Sequence, residues 1–338
     1  MATYYVRTDG NDSNAGTSDS SGGAWLTLAY AGATAAAGDT IMVRASAGNA
    51  SSYPTSSLDY TISAYFSPTS ASASTGYTKW VGYNGIPTIG TNGGIILTNH
   101  HWFEGLYFVA VSSGGVGNYG QVGGVSHVIK DCIFNNNNLS GQVGVVVSNS
   151  VIVGSEFYGG TASPTASAGA YLISMGQYGG LVQGCRIRNG RDHGIYCPND
   201  AGVSIRDNLI YGCVGNGVHA LLGSTARGDI IGNTIHNNSG HGIRIDGTND
   251  AAFWTIRNNN ITSHAQASKY GISVATSSSG KRTAAWGFNN VWNNTANYEN
   301  VTAASTDLSV DPGYADAANG DFTPSEASLE GAAFPTGW

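Results

Sequence analysis

A chain of 338 residues that is 41% hydrophobic, only 10% charged and carries 49 glycines has material for a long core and little for a charged surface. Its net charge of −7, with 14 lysines and arginines, leaves no basic footprint for nucleic acid, and no apolar run reaches the length that spans a membrane. Four cysteines are too few for a disulfide framework and are read as buried small hydrophobes.

Residues 1–50 read as an opening cap with the first coil. The start, Met1-Ala2-Thr3-Tyr4-Tyr5-Val6, lacks the basic and apolar regions of a secretory signal; the expected location is extracellular or virion-associated, by a leader trimmed off or by release on lysis. A polar loop, Asp9 to Gly16, leads to Trp25-Leu26-Thr27-Leu28-Ala29-Tyr30-Ala31 and a short helix, expected to cover strand edges that would otherwise be open. Within the loop, Asp9-x-Asn11-x-Ser13 alternates oxygen ligands as calcium loops do but lacks the later bidentate Glu, so it reads as a turn. No cofactor is expected, and Ca²⁺ is the one ion the chain suggests.

Residues 51–305 repeat. Val182-Gln183-Gly184-Cys185-Arg186-Ile187, Ile205-Arg206-Asp207-Asn208-Leu209-Ile210, Ile230-Ile231-Gly232-Asn233-Thr234-Ile235 and Ile256-Arg257-Asn258-Asn259-Asn260-Ile261 share one pattern, at steps of 23, 25 and 26 residues (205−182, 230−205, 256−230). A second phrase follows each: Gly194-Ile195-Tyr196-Cys197, Gly217-Val218-His219-Ala220, Gly242-Ile243-Arg244-Ile245 and Gly271-Ile272-Ser273-Val274. Alternation within each phrase says strand, and the turns between are too short for helices. Units this short bury an apolar face only by stacking, which predicts an all-β solenoid, a single right-handed parallel β-helix. Asn208, Asn233 and Asn259, with Cys185 in line, mark an inward corner where amides can form a ladder. The template extends to Phe103, Ile129, Ile152 and Trp286, giving about ten coils and a rod roughly 50 Å long at ~4.8 Å per coil. The longer steps hold flexible loops at 159–164 and 277–280.

Aligned on the second phrase, the outward position reads Tyr171, Tyr196, His219, Arg244, Ser273, and the residue before the glycine reads His193, Asn216, His241, Tyr270. Coils that stack place these side chains in two vertical files. Residues 306–338 form a closing segment, and the whole is expected to be one structural domain.

Tyr4-Tyr5-Val6-x-x-Asp9-Gly10-x-Asp12, Ala24-Trp25-x-Thr27-Leu28, Gly38-Asp39-Thr40-Ile41-x-Val43, Trp80 to Ile89, Val310-Asp311-Pro312-Gly313-Tyr314 and Gly320-Asp321-Phe322-Thr323-Pro324 resemble the opening, early-coil and closing blocks of right-handed β-helix proteins of the pectate-lyase-like superfamily. The resemblance covers nearly the whole chain. It implies the fold, and a scaffold shared by lyases, epimerases, hydrolases and phage adhesins. Pectate lyases proper hold Ca²⁺ with acidic clusters on the β-helix face, and this chain has no such cluster in its outward files.

The expected function is cleavage of an acidic, uronic-acid-containing polysaccharide by β-elimination. Arg244 would hold the sugar carboxylate in a forked pair, His219 or His241 would take the C5 proton, and Tyr196, Tyr171 or Tyr270 would protonate the leaving oxygen or, beside a cation, serve as base. Tyr171, His193, Asn216, Tyr270, Asp192 and Asp246 complete the substrate-binding set. Hydrolysis is the alternative, with Asp192 and Asp246 two coils apart as its carboxylates, and a noncatalytic phage glycan adhesin is a third possibility. The partner is thus a polysaccharide, not nucleic acid or membrane, and the protein is expected as a monomer or homotrimer.

Overall fold

The structure is a computed structural model and describes residues 1–46, 58–62, 68–69, 71–91, 99–111, 120–137, 139, 143–159, 166–176, 178–198, 202–222, 227–247, 253–275, 286–326 and 329. The two inserted loops expected at 159–164 and 277–280 lie, apart from Gly159, outside the described residues. Two compact units divide the chain, 1–157 and 158–338. Among the described residues no helix is long and apolar enough to cross a membrane.

In the first unit, strands Thr3–Val6, Thr40–Arg44, Thr78–Tyr83, His101–Glu104, Val128–Lys130 and Ser150–Val153 pair in that order, all parallel, as a first sheet. Tyr60–Ile62, Thr88–Thr91, Tyr107–Ala110 and Ile133–Asn135 form a second, and Gly120–Val125 with Val143–Ser148 a third. Phe108, Phe134 and Phe157, one per coil, stack inside at centroid spacings of 4.9 and 4.8 Å and are at most 1% exposed. Truncating the middle ring leaves a cavity between two flat faces that cannot close on each other. Phe134→Ala is expected to cost about 3–5 kcal/mol in urea melts, against well under 1 for Val151→Ala on the exposed side of a strand.

The second unit repeats the three sheets. Gly180–Gln183, Val203–Arg206, Arg227–Ile231 and Phe253–Arg257 build the first. Arg186–Arg188, Leu209–Tyr211, Thr234–His236, Asn260–Thr262 and Asn290–Trp292 build the second. Ile173–Met175, Ile195–Cys197, Val218–Leu222, Ile243–Gly247, Tyr270–Val274 and Ala296–Glu299 build the third. Period-two alternation decides the faces: Ile187, Ile210, Ile235, Ile261 and Val291 form one fully buried file, and Ile195, Val218, Ile243 and Ile272 another.

The corner between the first and second sheets follows from two positions. Gly184, Asp207, Gly232 and Asn258 take left-handed backbone, φ 54° to 70°, which favours Gly, Asn or Asp. The next residue points inward. There Asn208 Oδ1 accepts Cys185 N–H at 2.9 Å, and each following amide oxygen, of Asn233, Asn259 and Asn289, accepts both the backbone N–H and the Nδ2 of the asparagine before it. The ladder ends on Asp307, which accepts from Asn289 N and Nδ2. Each buried amide is thereby satisfied coil to coil.

All four cysteines are buried and free, and burial pushes the thiols of Cys132, Cys197 and Cys213 up to about 12. The strand order first, second, third is completed twice in the first unit, four times in the second and once by strands either side of residue 157, or about seven turns. The ten expected from the repeat is therefore corrected: the turns nearer the ends lack one or two of the three strands among the described residues. The expected helix forms over Leu28–Thr34, capped by Thr27, whose hydroxyl accepts Tyr30 N–H. Seven residues make about 10 Å of helix, too short to cover a three-sided coil alone. Its buried residues, Leu28, Ala31 and Gly32, account for the helix as a local packing element. The loop before it is a turn: Asp9 pairs with Arg7, Asn11 Oδ1 accepts Ser13 N–H, and Asp12 accepts from Leu26 N, Thr27 N and the Thr27 hydroxyl.

Candidate active site

The third sheet of the second unit carries the outward file. Tyr196 pairs in register with His219, His219 with Arg244, Arg244 with Ser273 and Ser273 with Glu299, while their strand neighbours Ile195, Cys197, Val218, Ala220, Ile243 and Ile245 turn inward. Residues 23 to 29 positions apart in sequence thus stand one coil above the next.

Hydrogen bonds tie this file to the one beside it. Asn216 N–H donates to His193 Nδ1 at 2.9 Å, so the neutral His193 ring carries its proton on Nε2 and points it at His219 Nδ1, 2.8 Å away. The second nitrogen of His219 must then hold the proton, and it meets Asp246 Oδ2 at 3.0 Å. These tautomers are assigned from the network. Asp246 Oδ1 accepts Arg244 Nε at 2.7 Å. Arg244 Nη1 donates to Glu299 at 2.9 Å and to the Ser273 hydroxyl at 2.5 Å, and Ser273 and Glu299 also bond each other.

Burial pushes the Asp246 carboxyl up, but the His219 hydrogen bond and the Arg244 charge outweigh it and hold the group below the usual carboxylate range. Asp192 goes the other way, raised by burial despite the Gly169 N–H it accepts at 2.8 Å. Burial takes the His193 imidazole down to about 3, helped by the neighbouring His219. The Tyr196 and Tyr171 phenols are both raised by burial, their rings stack at 4.3 Å, and Tyr196 lies 5.4 Å from the His219 ring.

Several expected roles change. Tyr171 is not in the file: Ser174 pairs with Tyr196, because the strand begins at Ile173 and not at Gly169, and Tyr171 instead stacks on His193 at 5.4 Å. Among the described residues no lysine or arginine lies against Tyr196, and burial raises its phenol, the opposite of what a base needs. Arg244 offers no fork, since Nε and Nη1 are spent on Asp246, Ser273 and Glu299; Nη2 alone makes no protein hydrogen bond among the described residues. His241 has Nδ1 committed to Tyr270 N–H at 3.2 Å, lies flat on the Tyr270 ring at 5.5 Å, and is taken down to about 4, first by burial and then by the Arg244 charge. A neutral ring so fixed has its proton on Nε2 and no nitrogen free to act as base. Asn216, 8% exposed, gives its amide oxygen to His241 N–H at 2.8 Å. The second file, His193, Asn216, His241, Tyr270, is therefore a ladder in which His193, Asn216 and His241 each accept a backbone N–H from the next coil. Glu299 was missed because its coil lacks the Gly-Ile phrase, yet one more step of 26 from Ser273 (299−273) lands on it. Among the described residues no group of three or more His, Cys, Asp or Glu could hold a metal ion.

Right handed beta helix region is the family model that matches, over residues 84–253 and 122–296. The chain belongs to the right-handed β-helix family. Solved structures agree on this β-helix: pectate lyase Pel9A superposes with a TM-score of 0.61 at 13% identity, over 100% of this chain and 88% of that one. A complex of XylC with xylose gives 0.58 at 10%, over 88% and 69%, and a rhamnogalacturonan lyase 0.52 at 13%, over 93% and 91%. At such identities the likeness is one of fold, the parallel β-helix. No curated protein matches the sequence.

Proposed function

We propose that this β-helix is a carbohydrate-active enzyme that cleaves a uronic-acid-containing polysaccharide by β-elimination on the outward face of the third sheet. The observation that carries the reading is the Asp246–His219 pair: an ionised carboxylate accepts the Nε2 proton of an imidazole whose other nitrogen, Nδ1, holds a lone pair that accepts only the side-chain Nε2–H of His193, unlike His241, whose Nδ1 holds a backbone N–H. A carboxylate so placed fixes the tautomer of a base and steadies the imidazolium that forms. With sugar on the face, Arg244 Nη2 meets the carboxylate, acidifying the adjacent C5–H. His219 Nδ1 exchanges its contact with His193 for that proton, the C5–H electrons become the C4–C5 double bond, and the C4–O bond breaks. The departing oxygen takes the proton of Tyr196, whose raised phenol is protonated at neutral pH and makes no hydrogen bond among the described residues. The likeness in fold to proteins titled pectate lyase and rhamnogalacturonan lyase is consistent with this chemistry.

One observation favours hydrolysis as a second reading. Asp192 is raised and Asp246 lowered, the split by which two carboxyl groups divide acid and base duties. Incubation with pectate, alginate, hyaluronan and bacterial capsules separates the two. Elimination gives rising ultraviolet absorbance from unsaturated uronides, lost in His219→Ala and Arg244→Ala. New reducing ends without that absorbance, lost in Asp192→Asn, would put hydrolysis in its place, and glycan binding without product would leave an adhesin.

Arg244 stands between two carboxylates, so an acidic sugar reaching Nη2 meets net negative charge. Glu299→Gln keeps an acceptor for Arg244 and Ser273 and removes one of those charges. It is expected to lower KM for an acidic oligosaccharide by about five-fold, the effect of relieving roughly 1 kcal/mol of half-screened repulsion; a raised KM in steady-state kinetics would count against Arg244 as the carboxylate contact.

A further inference from the structure

We propose that the second unit carries a separate site, on the second sheet, for the oxyanion of an acidic saccharide unit. Arg186 and Arg188 alternate outward from one strand on either side of buried Ile187, and Tyr211 and His236 continue the Arg188 file on the next two coils. The closing segment crosses this face. Tyr314 and Phe322 pack against His236 at 5.5 and 5.1 Å, and Phe322 against Tyr211 at 5.0 Å. The segment then turns over Ala317–Asn319 and leaves a concavity of about 670 Å³ lined by both arginines, Tyr211, His236 and the amides of Asn189, Asn237 and Asn319. That volume lies within the range of small-ligand sites, on the order of 300–1,000 Å³.

Arg186 is the group that asks for a ligand. Its Nη2 donates to Gly320 C=O at 3.2 Å and its guanidinium lies 5.8 Å over the Tyr211 ring, yet its Nε–H is buried without an acceptor among the described residues. Arg188 sits 4.6 Å over the Tyr158 ring. Gly320 is shaped to allow this: φ is 84°, and a Cβ there would come within 2.2 Å of Arg186 Nη2 and 3.0 Å of the Tyr211 hydroxyl. The nearby carboxylates are occupied, Asp316 by Asn319 Nδ2 at 2.7 Å and Asp321 by Thr323 N–H at 3.0 Å. His236, lowered to about 4 by burial, is neutral and bonds Thr262 through Nδ1. The Arg186 guanidinium, whose Nη1 makes no hydrogen bond among the described residues, lines this concavity beside a second arginine and suits a carboxylate or sulfate, and the surrounding amides and phenol suit the hydroxyls that accompany it on a sugar.

The test reads binding, so it stands whether or not the third-sheet face is catalytic. In Arg244→Ala protein, arginine Nε–H signals are followed by NMR while a uronic trisaccharide, a neutral trisaccharide and inorganic sulfate are added in turn. The expected result is a saturable shift of the Arg186 signal with the acidic sugar, weaker with sulfate and absent with the neutral sugar. Arg186→Gln should weaken that binding by at least ~10-fold, the loss of one charge-assisted contact, with turnover of wild-type catalytic residues unchanged. Arg188→Gln repeats the test should Arg186→Gln fail to fold. An unmoved Arg186 signal, equal affinity for sulfate and acidic sugar, or undiminished binding in both variants overturns the proposal.

Discussion

Lowering the pH from 7.5 to 5 is expected to strip most of the stability from this protein, well before its carboxylates protonate. His101, His236 and His241 are taken down to about 4 by burial and His193 to about 3, against an ordinary value near 6.5. A depressed imidazole is neutral in the fold and protonated in the unfolded chain below pH 6.5. Its contribution is therefore complete above that pH and is lost as pH falls toward the folded value. At pH 5 each costs about 2 kcal/mol, 1.5 units below the unfolded value, and four together reach on the order of 8 kcal/mol, comparable with the whole stability of a typical domain. His264 is taken down to about 4 as well, burial outweighing the carbonyls of Asn238 and Ile235 that face its ring nitrogens and favour the charged ring, and it adds to the same loss. Urea melts at pH 7.5, 6 and 5 should show the unfolding midpoint falling steeply between the last two. A midpoint flat across that range would mean these rings are not held neutral.

Asp246→Asn is expected to abolish turnover while leaving the β-helix folded. An amide in that place can donate where the carboxylate accepts, which favours the wrong tautomer of His219 and removes the charge that steadies its imidazolium; such a change lowers kcat by about a thousandfold or more. It also frees Arg244 Nε, so KM for an acidic oligosaccharide should fall, or stay level, as kcat collapses. Asp192→Asn gives the contrast. In elimination Asp192 takes no proton, and its change should cost kcat under about ten-fold. Steady-state kinetics showing the two variants equally dead would move the reaction to hydrolysis by that pair of carboxyls.

The solenoid was legible in the sequence because stacking makes distant residues neighbours and each coil must repeat the same compromise. An aliphatic inside, a left-handed corner at Gly184, Asp207, Gly232 and Asn258, and an amide behind it recur because each coil needs them. The same logic placed Tyr196, His219 and Arg244 in one file. What stayed hidden was decided off the repeat. Tyr171 slipped from the file because the long step before it resets where the strand begins. Arg244 lost its fork to Glu299 and Asp246, and whether a guanidinium is already engaged is set by rotamers that no spacing reports. The histidines before each glycine looked chemical, yet His193 and His241 each accept a backbone N–H, of Asn216 and Tyr270, one coil on. The number of turns was overcounted because a template of two strands does not see whether a third is present.

The most direct measurement is a crystal structure of the His219→Ala protein soaked with an oligomer of whichever acidic polysaccharide it binds. Sugar is expected along the third sheet, its carboxylate on Arg244 Nη2, its C5 facing the place of the missing imidazole and its glycosidic oxygen within reach of the Tyr196 hydroxyl. An oligomer lying along another face, with Tyr196, Arg244 and Asp246 untouched, would contradict this expectation.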